Sequence, residues 1–168
     1  MTERNGILMV QNIETPRDLM SLLAEATARE MKVAVQYMMQ HTLYIGGDSS
    51  ILKAAGFVAS HRSIFLPGKS LKKIAITEMK HAEAIAERIS NLGGKPPTES
   101  GPLMLGKTIA DILQIDKAEE EFAIKLYKQV IDIAGKDGDI ITEKLFVKIL
   151  SDEEEHHRTF VNLLTETK

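Results

Sequence analysis

The 168-residue chain contains no cysteine and no tryptophan, and aromatic residues make up only 5% of it. Without cysteine, a disulfide framework, a thiolate zinc site, an iron–sulfur cluster and a cysteine nucleophile are all excluded. The scarcity of aromatic residues disfavours β-sandwiches and barrels, whose strands are rich in them. We therefore expect long helices, and any metal must be held by histidine, carboxylate or backbone groups.

Long apolar runs and a strong charge of one sign are also missing. No stretch approaches the roughly 20 apolar residues that cross a membrane, and the apolar run from Ile7 to Val10 is too short for a secretory signal. The net charge of −3 does not indicate binding to nucleic acid or to an anionic membrane, which favour basic proteins. We expect a single cytoplasmic domain over residues 1–168, with no membrane partner and no clear nucleic-acid site.

Glycine and proline pairs divide the chain into helical segments. Long helices are predicted at about 16–45, 69–92, 108–134 and 140–166, with a short helix at about 50–65. Thr108 and Asp111 resemble a capping box at the start of the third long helix. The connection of about 14 residues before it is long enough to travel the length of a bundle. The predicted fold is all-α: a four-helix bundle of two antiparallel hairpins joined by a long crossover.

Each long helix carries an acidic residue on its apolar face when the residues are placed at 100° intervals. These positions are Glu30 on the first helix, Glu78 with His81 on the second, Glu120 on the third, and Glu153 with His156 on the fourth. A buried carboxylate without a partner costs several kcal/mol or becomes protonated. The same faces carry few basic residues, namely Lys32, Lys117 and Arg88. We therefore expect a cation from solution to bind in the bundle interior.

The spacing Glu-x-x-His directs both side chains to one helix face, about one turn apart. It begins at Glu78, Glu153 and Glu154. Because Glu154 is rotated about 100° from Glu153 toward the flank, we take Glu153 and His156 as the ligands. His157 then either lies on the shoulder of that face or supports a ligand. Since carboxylate oxygens dominate the set, iron or manganese is favoured over zinc.

A lone Glu followed by Glu-x-x-His, once in each hairpin, resembles the ferritin-like superfamily, and most closely its bacterioferritin branch. The segments from Arg29 to Tyr37, from Glu78 to His81 and from Ile149 to His156 resemble that family's helix motifs. The resemblance implies two irons per subunit bridged by Glu78 and Glu153. It also implies a ferroxidase and iron-storage protein that oxidises Fe(II) with dioxygen or hydrogen peroxide. Tyr37 either supports a ligand or is an ordinary core tyrosine.

The same resemblance implies Met79 as a ligand of haem b at a dimer axis, although we favour an interface or flank methionine. Only twelve residues follow His156, where bacterioferritins continue into a fifth helix. We therefore expect a homo-oligomer that is a dodecamer or a dimer, in preference to a 24-mer. One alternative function is a di-metal oxidoreductase without storage, through rubrerythrin-like peroxide reduction or di-manganese chemistry. Another is a helical assembly module with structural metals.

Overall fold

The computed structural model describes residues 18–45 and 68–166. These residues form four helices, α1 (Leu19–Ile45), α2 (Gly68–Asn91), α3 (Ile109–Lys136) and α4 (Ile140–Glu166). None of the four combines the length and apolar character needed to cross a membrane. The all-α prediction is confirmed. The short helix expected at about 50–65 lies outside the described residues, and a single domain over 1–168 stays a prediction.

Polar caps fix where α1 and α3 begin. Oδ1 of Asp18 accepts a hydrogen bond from the backbone N–H of Ser21 at 2.7 Å, so Asp18 satisfies a free donor of the first turn. As a result α1 begins at Leu19, later than the predicted start near 16. Thr108 and Asp111 form the predicted capping box, each side chain accepting from the other's backbone N–H at 3.1 Å.

Left-handed glycines end α2 and α3. Gly93 has φ 80° and Gly138 has φ 71°, a region that residues with a side chain rarely adopt. After them, the N–H of Gly94 reaches the carbonyl of Ile89 at 2.9 Å, and that of Asp139 reaches Ala134 at 2.8 Å. α3 therefore continues two residues beyond the predicted end at 134, because the turn is made at Gly138. The bounds of α2 are displaced by one residue from the prediction, and those of α4 agree with it.

The order of cross-helix contacts gives the topology. α1 packs chiefly against α2, and α3 against α4. Between α1 and α3, Arg29 contacts Glu120 whereas Gln40 contacts Asp116, so these two helices run antiparallel. The contacts between α2 and α4, and those between α3 and α4, likewise pair later residues of one helix with earlier residues of the other, so each of these pairs is antiparallel. It follows that α2 and α3 are parallel and that residues 92–108 cross the bundle from one end to the other, as predicted.

Two apolar clusters fill the two halves of the bundle. One includes Leu23, Ile85, Tyr127 and Phe146, and the other includes Val33, Leu71, Leu113 and Phe160. Burying each large apolar side chain stabilises the fold by roughly 1.5–3 kcal/mol. The acidic and histidine positions of the sequence prediction lie along the helices between these clusters. Rigid packing on both sides therefore holds the polar centre of the bundle.

Candidate metal centre

The six predicted ligand residues lie together in the centre of the bundle. The four glutamates are fully buried, while His81 and His156 are 6% and 8% exposed. Their ligand atoms form two overlapping groups, each with all atoms within 4.8 Å of one another. The His81 set comprises Glu30, Glu78, His81 and Glu153, and the His156 set comprises Glu78, Glu120, Glu153 and His156. Glu78 and Glu153 belong to both sets, so two adjacent metal ions could share them.

Both imidazoles direct Nδ1 toward the carboxylates. Nδ1 of His81 lies 3.1 Å from Oε2 of Glu78 and 3.0 Å from Oε1 of Glu153. Nδ1 of His156 lies 2.8 Å from Oε1 of Glu78, although the two atoms are not aligned in a hydrogen bond. The ring centroids are 6.3 Å apart. The two histidines thus approach different oxygens of Glu78.

Two buried tyrosines hold the remaining two glutamates. The hydroxyl of Tyr37 donates to Oε1 of Glu120, and that of Tyr127 donates to Oε1 of Glu30. Each bond joins α1 to α3, so it also fixes the distance between the helix pairs. Of the two interpretations of Tyr37, the geometry favours support of a carboxylate. Sequence reasoning did not identify the hydroxyl of Tyr127 as a partner of Glu30.

The expectation that the bundle interior has few positive charges is wrong at Arg29. Its guanidinium is buried, with Nη1 3.0 Å from Oε1 of Glu30 and 3.2 Å from Oε2 of Glu153. Nη2 lies 3.0 Å from Oε2 of Glu120. Arg29 was overlooked because its Cα is rotated about 100° from that of Glu30. The long side chain reaches from that flank into the centre of the bundle.

A signal for Arg29 is nevertheless present in the sequence. Arg29 belongs to a row of buried residues on α1 that recur at alternating spacings of four and three. They are Leu22, Ala26, Arg29, Val33, Gln36 and Gln40. Such spacing marks a helix face that is buried along its whole length. On α3 the same spacing places Asp116 on one buried face with Glu120, Ala123 and Tyr127. Polar residues on these faces are buried and require partners.

Burial and neighbouring charges divide the glutamates into two pairs. Burial raises the pKa of Glu30 and of Glu120 well above the usual range, and the charge of Arg29 offsets this only in part. Burial and the charge of Glu153 also raise the pKa of Glu78, but the imidazoles of His156 and His81 outweigh them and lower it to about 2. Burial likewise acts on Glu153, yet Arg29 holds its pKa well below the usual range.

The histidines are held in their charged form. Burial lowers the pKa of His81, but its contacts with Glu153 and Glu78 dominate and raise it to about 10. The same balance raises the pKa of His156 to about 10. Metal ligands must be deprotonated. Without metal the cluster therefore carries protons that a bound ion must displace.

Asp152 holds the outer nitrogen of His81. Nε2 of His81 lies 3.1 Å from Oδ2 of Asp152, which precedes Glu153 on α4. An imidazole that binds a metal through one nitrogen commonly donates the other N–H to a carboxylate. Asp152 therefore orients the ring with Nδ1 inward, and sequence reasoning missed it because it lies off the apolar face.

Asp116 is a further buried acid, and it lies beside the cluster. Nε2 of Gln36 and of Gln40 donate to its Oδ1 at 3.2 Å and 2.9 Å. Oδ2 of Asp116 and Oε1 of Gln40 are buried without hydrogen-bond partners. Burial raises the pKa of Asp116 to about 7, although both glutamine hydrogen bonds lower it. Gln36 also accepts from the backbone N–H of Met104, which ties the crossover segment to this site.

The two remaining candidates lie outside the cluster. His157 is half-buried, with Nε2 3.3 Å from Oε1 of Glu121, on the shoulder of the α3–α4 contact. Met79 is 57% exposed on the outer face of α2. It lies in an apolar surface that we call the methionine face, formed by Met31, Ala34, Val35, Met38, Met39, Ala75, Ile76, Met79 and Ala82. The geometry thus agrees with a flank or interface position for Met79.

A family model described as the ferritin-like domain matches residues 68–168. The chain belongs to the ferritin-like family. It is 33% identical to the bacterioferritin of Desulfovibrio desulfuricans over 146 residues, which cover 86% of this chain and 73% of that protein. Bacterioferritin of Rhodobacter capsulatus is 36% identical over 89 residues, or 52% of this chain and 55% of the relative.

Solved bacterioferritin structures share the fold. That of Desulfovibrio desulfuricans, described as having a diiron site in different catalytic states, has a TM-score of 0.70 and 30% identity, and the match covers 88% of this chain and 78% of that one. That of Rhodobacter capsulatus, described with a metal-free dinuclear site and a haem iron, has a TM-score of 0.71 and 26% identity, over 88% and 83%. The resemblance to ferritin-like proteins close to bacterioferritin is confirmed.

Proposed function

We propose that this ferritin-like protein is a ferroxidase that oxidises Fe(II) at the six-residue cluster and supplies ferric iron for storage. The observation that carries the proposal is the pair of buried donor sets that share Glu78 and Glu153. Two Fe(II) ions are the substrate, one bound by the His81 set and one by the His156 set. The roles of the six residues as metal ligands, with Glu78 and Glu153 bridging, are part of this proposal.

Buried atoms without partners support metal binding. Oε2 of Glu30, Oε1 of Glu78, Oε1 of Glu153 and Nδ1 of His156 have no hydrogen-bond partner. A buried polar atom left unpaired costs about 1–3 kcal/mol. The four atoms come from three helices and lie within the two donor sets. Hard carboxylate oxygens with imidazole nitrogens suit iron and manganese, so these residues fit the proposed substrate.

The chemistry is an electron transfer from iron to an oxidant. Two Fe(II) ions lose one electron each, and these reduce hydrogen peroxide with two protons to two waters, or dioxygen with two protons to hydrogen peroxide. Glu78 and Glu153 can shift between the two ions as their charge rises. His81 and His156 hold the ions in place, and the apolar clusters on either side exclude water. The tyrosines keep Glu30 and Glu120 oriented toward the ions.

The methionine face supports a homo-oligomer. Val35, Met39 and Met79 are 50%, 45% and 57% exposed on it, and it lines a cleft of about 520 Å³. Exposed apolar surfaces of this kind are typical of protein interfaces. We propose that the methionine face packs against a second copy of the chain, in a dimer or a dodecamer. Met79 then serves as a packing residue, and a haem at that interface is the competing assignment.

Anaerobic titration of the full chain with Fe(II), followed by air, tests the proposed function. About two Fe(II) per subunit should be oxidised rapidly, with a rise in ferric absorbance, and retention of many more irons per subunit would support storage. The double substitution E30A/E120A should abolish the rapid phase. E119A is the matched control, because Glu119 precedes Glu120 but pairs with Lys32 outside the cluster. Wild-type oxidation rates in E30A/E120A would contradict the site.

Sedimentation and absorbance spectra test the assembly. A particle no larger than a dimer that never retains more than two irons per subunit would contradict storage but leave the ferroxidase standing. Added haem should give no stable spectral change if Met79 only packs at the interface. A haem spectrum that M79L abolishes would support the competing assignment.

A further inference from the structure

Arg29 places a fixed positive charge among the proposed ligands. Its guanidinium donates to three of the four glutamates, with Nη1–Glu30 and Nη2–Glu120 distances of 3.0 Å and an Nη1–Glu153 distance of 3.2 Å. Glu78 lies 3.8 Å from Nη1. A guanidinium remains charged at any pH at which the protein is folded. Unlike the histidines, Arg29 therefore keeps its positive charge in the cluster when a metal ion displaces the protons of the ligands.

This cation does not affect the two donor sets equally. Both oxygens of Glu120 are engaged, Oε1 by the hydroxyl of Tyr37 and Oε2 by Nη2 of Arg29. In contrast, Glu30, Glu78 and Glu153 each keep one buried oxygen without a hydrogen-bond partner. All three of those glutamates belong to the His81 set, whereas Glu120 belongs only to the His156 set. Nδ1 of His156 is also unpaired, and Glu78 and Glu153 are shared, so the two sets differ at one glutamate. While Arg29 is in place, Glu30 of the His81 set keeps a free oxygen and Glu120 of the His156 set does not.

The charge of the cluster also favours the first ion over the second. Metal ligands must be deprotonated, and with its four carboxylates ionised, both histidines neutral and Arg29 present, the cluster has a charge of −3. One divalent ion brings the total to −1, and a second brings it to +1. Excess charge in a buried site is costly because it is removed from water. The first ion is therefore well compensated, and the second must coexist with a guanidinium that it repels.

We propose that Arg29 acts as the second cation of this cluster, so that one divalent ion binds first at the His81 set and another binds at the His156 set only after Arg29 leaves Glu120. The proposal rests on the proposed function, in which the cluster binds metal. It adds that the two positions differ in affinity and that Arg29 sets the difference. Removing the guanidinium makes the two positions similar.

Calorimetric titration of the full chain with Mn(II) under argon tests this, because Mn(II) stays divalent without oxygen. We expect one ion per subunit to bind tightly and the second to bind at least about tenfold more weakly, a gap of 1.4 kcal/mol or more. In R29M the second affinity should rise about tenfold, so that the two constants approach each other. K32M is the matched control, because Lys32 lies one turn further along α1 and pairs with Glu119. It should leave both constants unchanged.

Crystals of the wild-type protein with limiting and excess Mn(II) provide a second measurement that does not depend on folding of R29M. At limiting Mn(II), the anomalous signal should lie at the His81 set with Arg29 still on Glu120, and at excess Arg29 should have moved. Two ions of equal affinity in the wild type, or a first ion at the His156 set, would overturn the role of Arg29 while leaving the metal centre intact. A wild-type protein that binds no Mn(II) would overturn the proposed function as well.

Discussion

Nε2 of His81 lies 3.1 Å from Oδ2 of Asp152, so the ring is held from outside the cluster while Nδ1 faces inward. Asp152 is 38% exposed at its side chain, which means that the carboxylate can be changed without opening the core. A carboxylate in this position fixes both the tautomer and the ring orientation of a metal ligand. Asp152 is therefore a positioning residue for the His81 set.

Substitution D152A should weaken binding of the first Mn(II) by roughly 10–100-fold, because the ring loses its fixed orientation. Titration calorimetry under argon measures the constant, and thermal unfolding of the metal-free protein should change little. The control is E154Q, since Glu154 lies two residues away and its exposed carboxylate pairs with the exposed Lys128. Equal Mn(II) affinities in D152A and the wild type would contradict the positioning role.

Asp116 predicts an unusual dependence of stability on pH. Its folded pKa of about 7 exceeds the unfolded value of about 3.9. Between these values the unfolded chain releases a proton that the folded chain keeps. The stability that protonated Asp116 contributes is therefore fully present below about pH 4 and is lost as the pH rises through 7.

D116N removes this titration while keeping an oxygen that can accept from Gln36 and Gln40. The difference in melting temperature, D116N minus wild type, should increase from pH 4 to pH 7 and remain level above pH 8. Titratable groups that both proteins share affect both melting temperatures alike, so their contribution cancels in this difference. A difference that is flat over this range, or one that decreases, would show that Asp116 is ionised in the folded protein below pH 7.

Much of the fold could be predicted because its signals are local. Glycine pairs, prolines and the Thr108 cap mark helix ends through the conformations that they adopt or forbid. The six proposed ligands could be grouped because each lies near the middle of an apolar face, and helical periodicity alone brings such residues to the bundle axis. The start of α1 differs from the prediction because Asp18 caps the helix.

The partners within the centre could not be predicted in the same way. Periodicity gives the direction of Cβ, but Arg29 reaches the cluster through a long side chain whose path depends on tertiary packing. Asp152 and the hydroxyl of Tyr127 act across helix pairs, so their contacts depend on the relative rotation of the helices. The interior charge was misjudged for this reason: composition gives the number of cations, whereas the fold determines where each cation lies.

Arg88 joins the end of α2 to the start of α4. Its Nη2 donates to Oδ1 of Asp139 at 2.7 Å, and its Nε donates to the hydroxyl of Thr142 at 2.8 Å. Asp139 also caps α4, because its Oδ1 accepts from the backbone N–H of Thr142 at 3.1 Å. One carboxylate thus serves both the helix cap and the contact between helices.

We expect D139A to lower the free energy of unfolding by about 1–2 kcal/mol, because both the cap and the ion pair are lost. D139N should lose less, since asparagine caps a helix about as well as aspartate. Urea denaturation at pH 7 measures both changes. D137A, at the exposed end of α3, should stay within about 0.5 kcal/mol of the wild type. Equal losses in D139N and D139A would show that the cap contributes nothing.

Removal of Arg29 should destabilise the metal-free protein and have less effect on the metal-loaded one. Without the guanidinium, its glutamate partners lose a buried ion pair, and breaking such a pair costs roughly 3–5 kcal/mol. Divalent ions that bind only the folded chain replace the lost charge and add stability by mass action. Excess Mn(II) should therefore raise the melting temperature of R29M more than that of the wild type. R88M distinguishes this from general destabilisation, because Arg88 lies at the far end of α2 and Mn(II) should stabilise it by the same increment as the wild type. If Mn(II) raised R29M and R88M equally, the guanidinium of Arg29 would not be exchanging with metal.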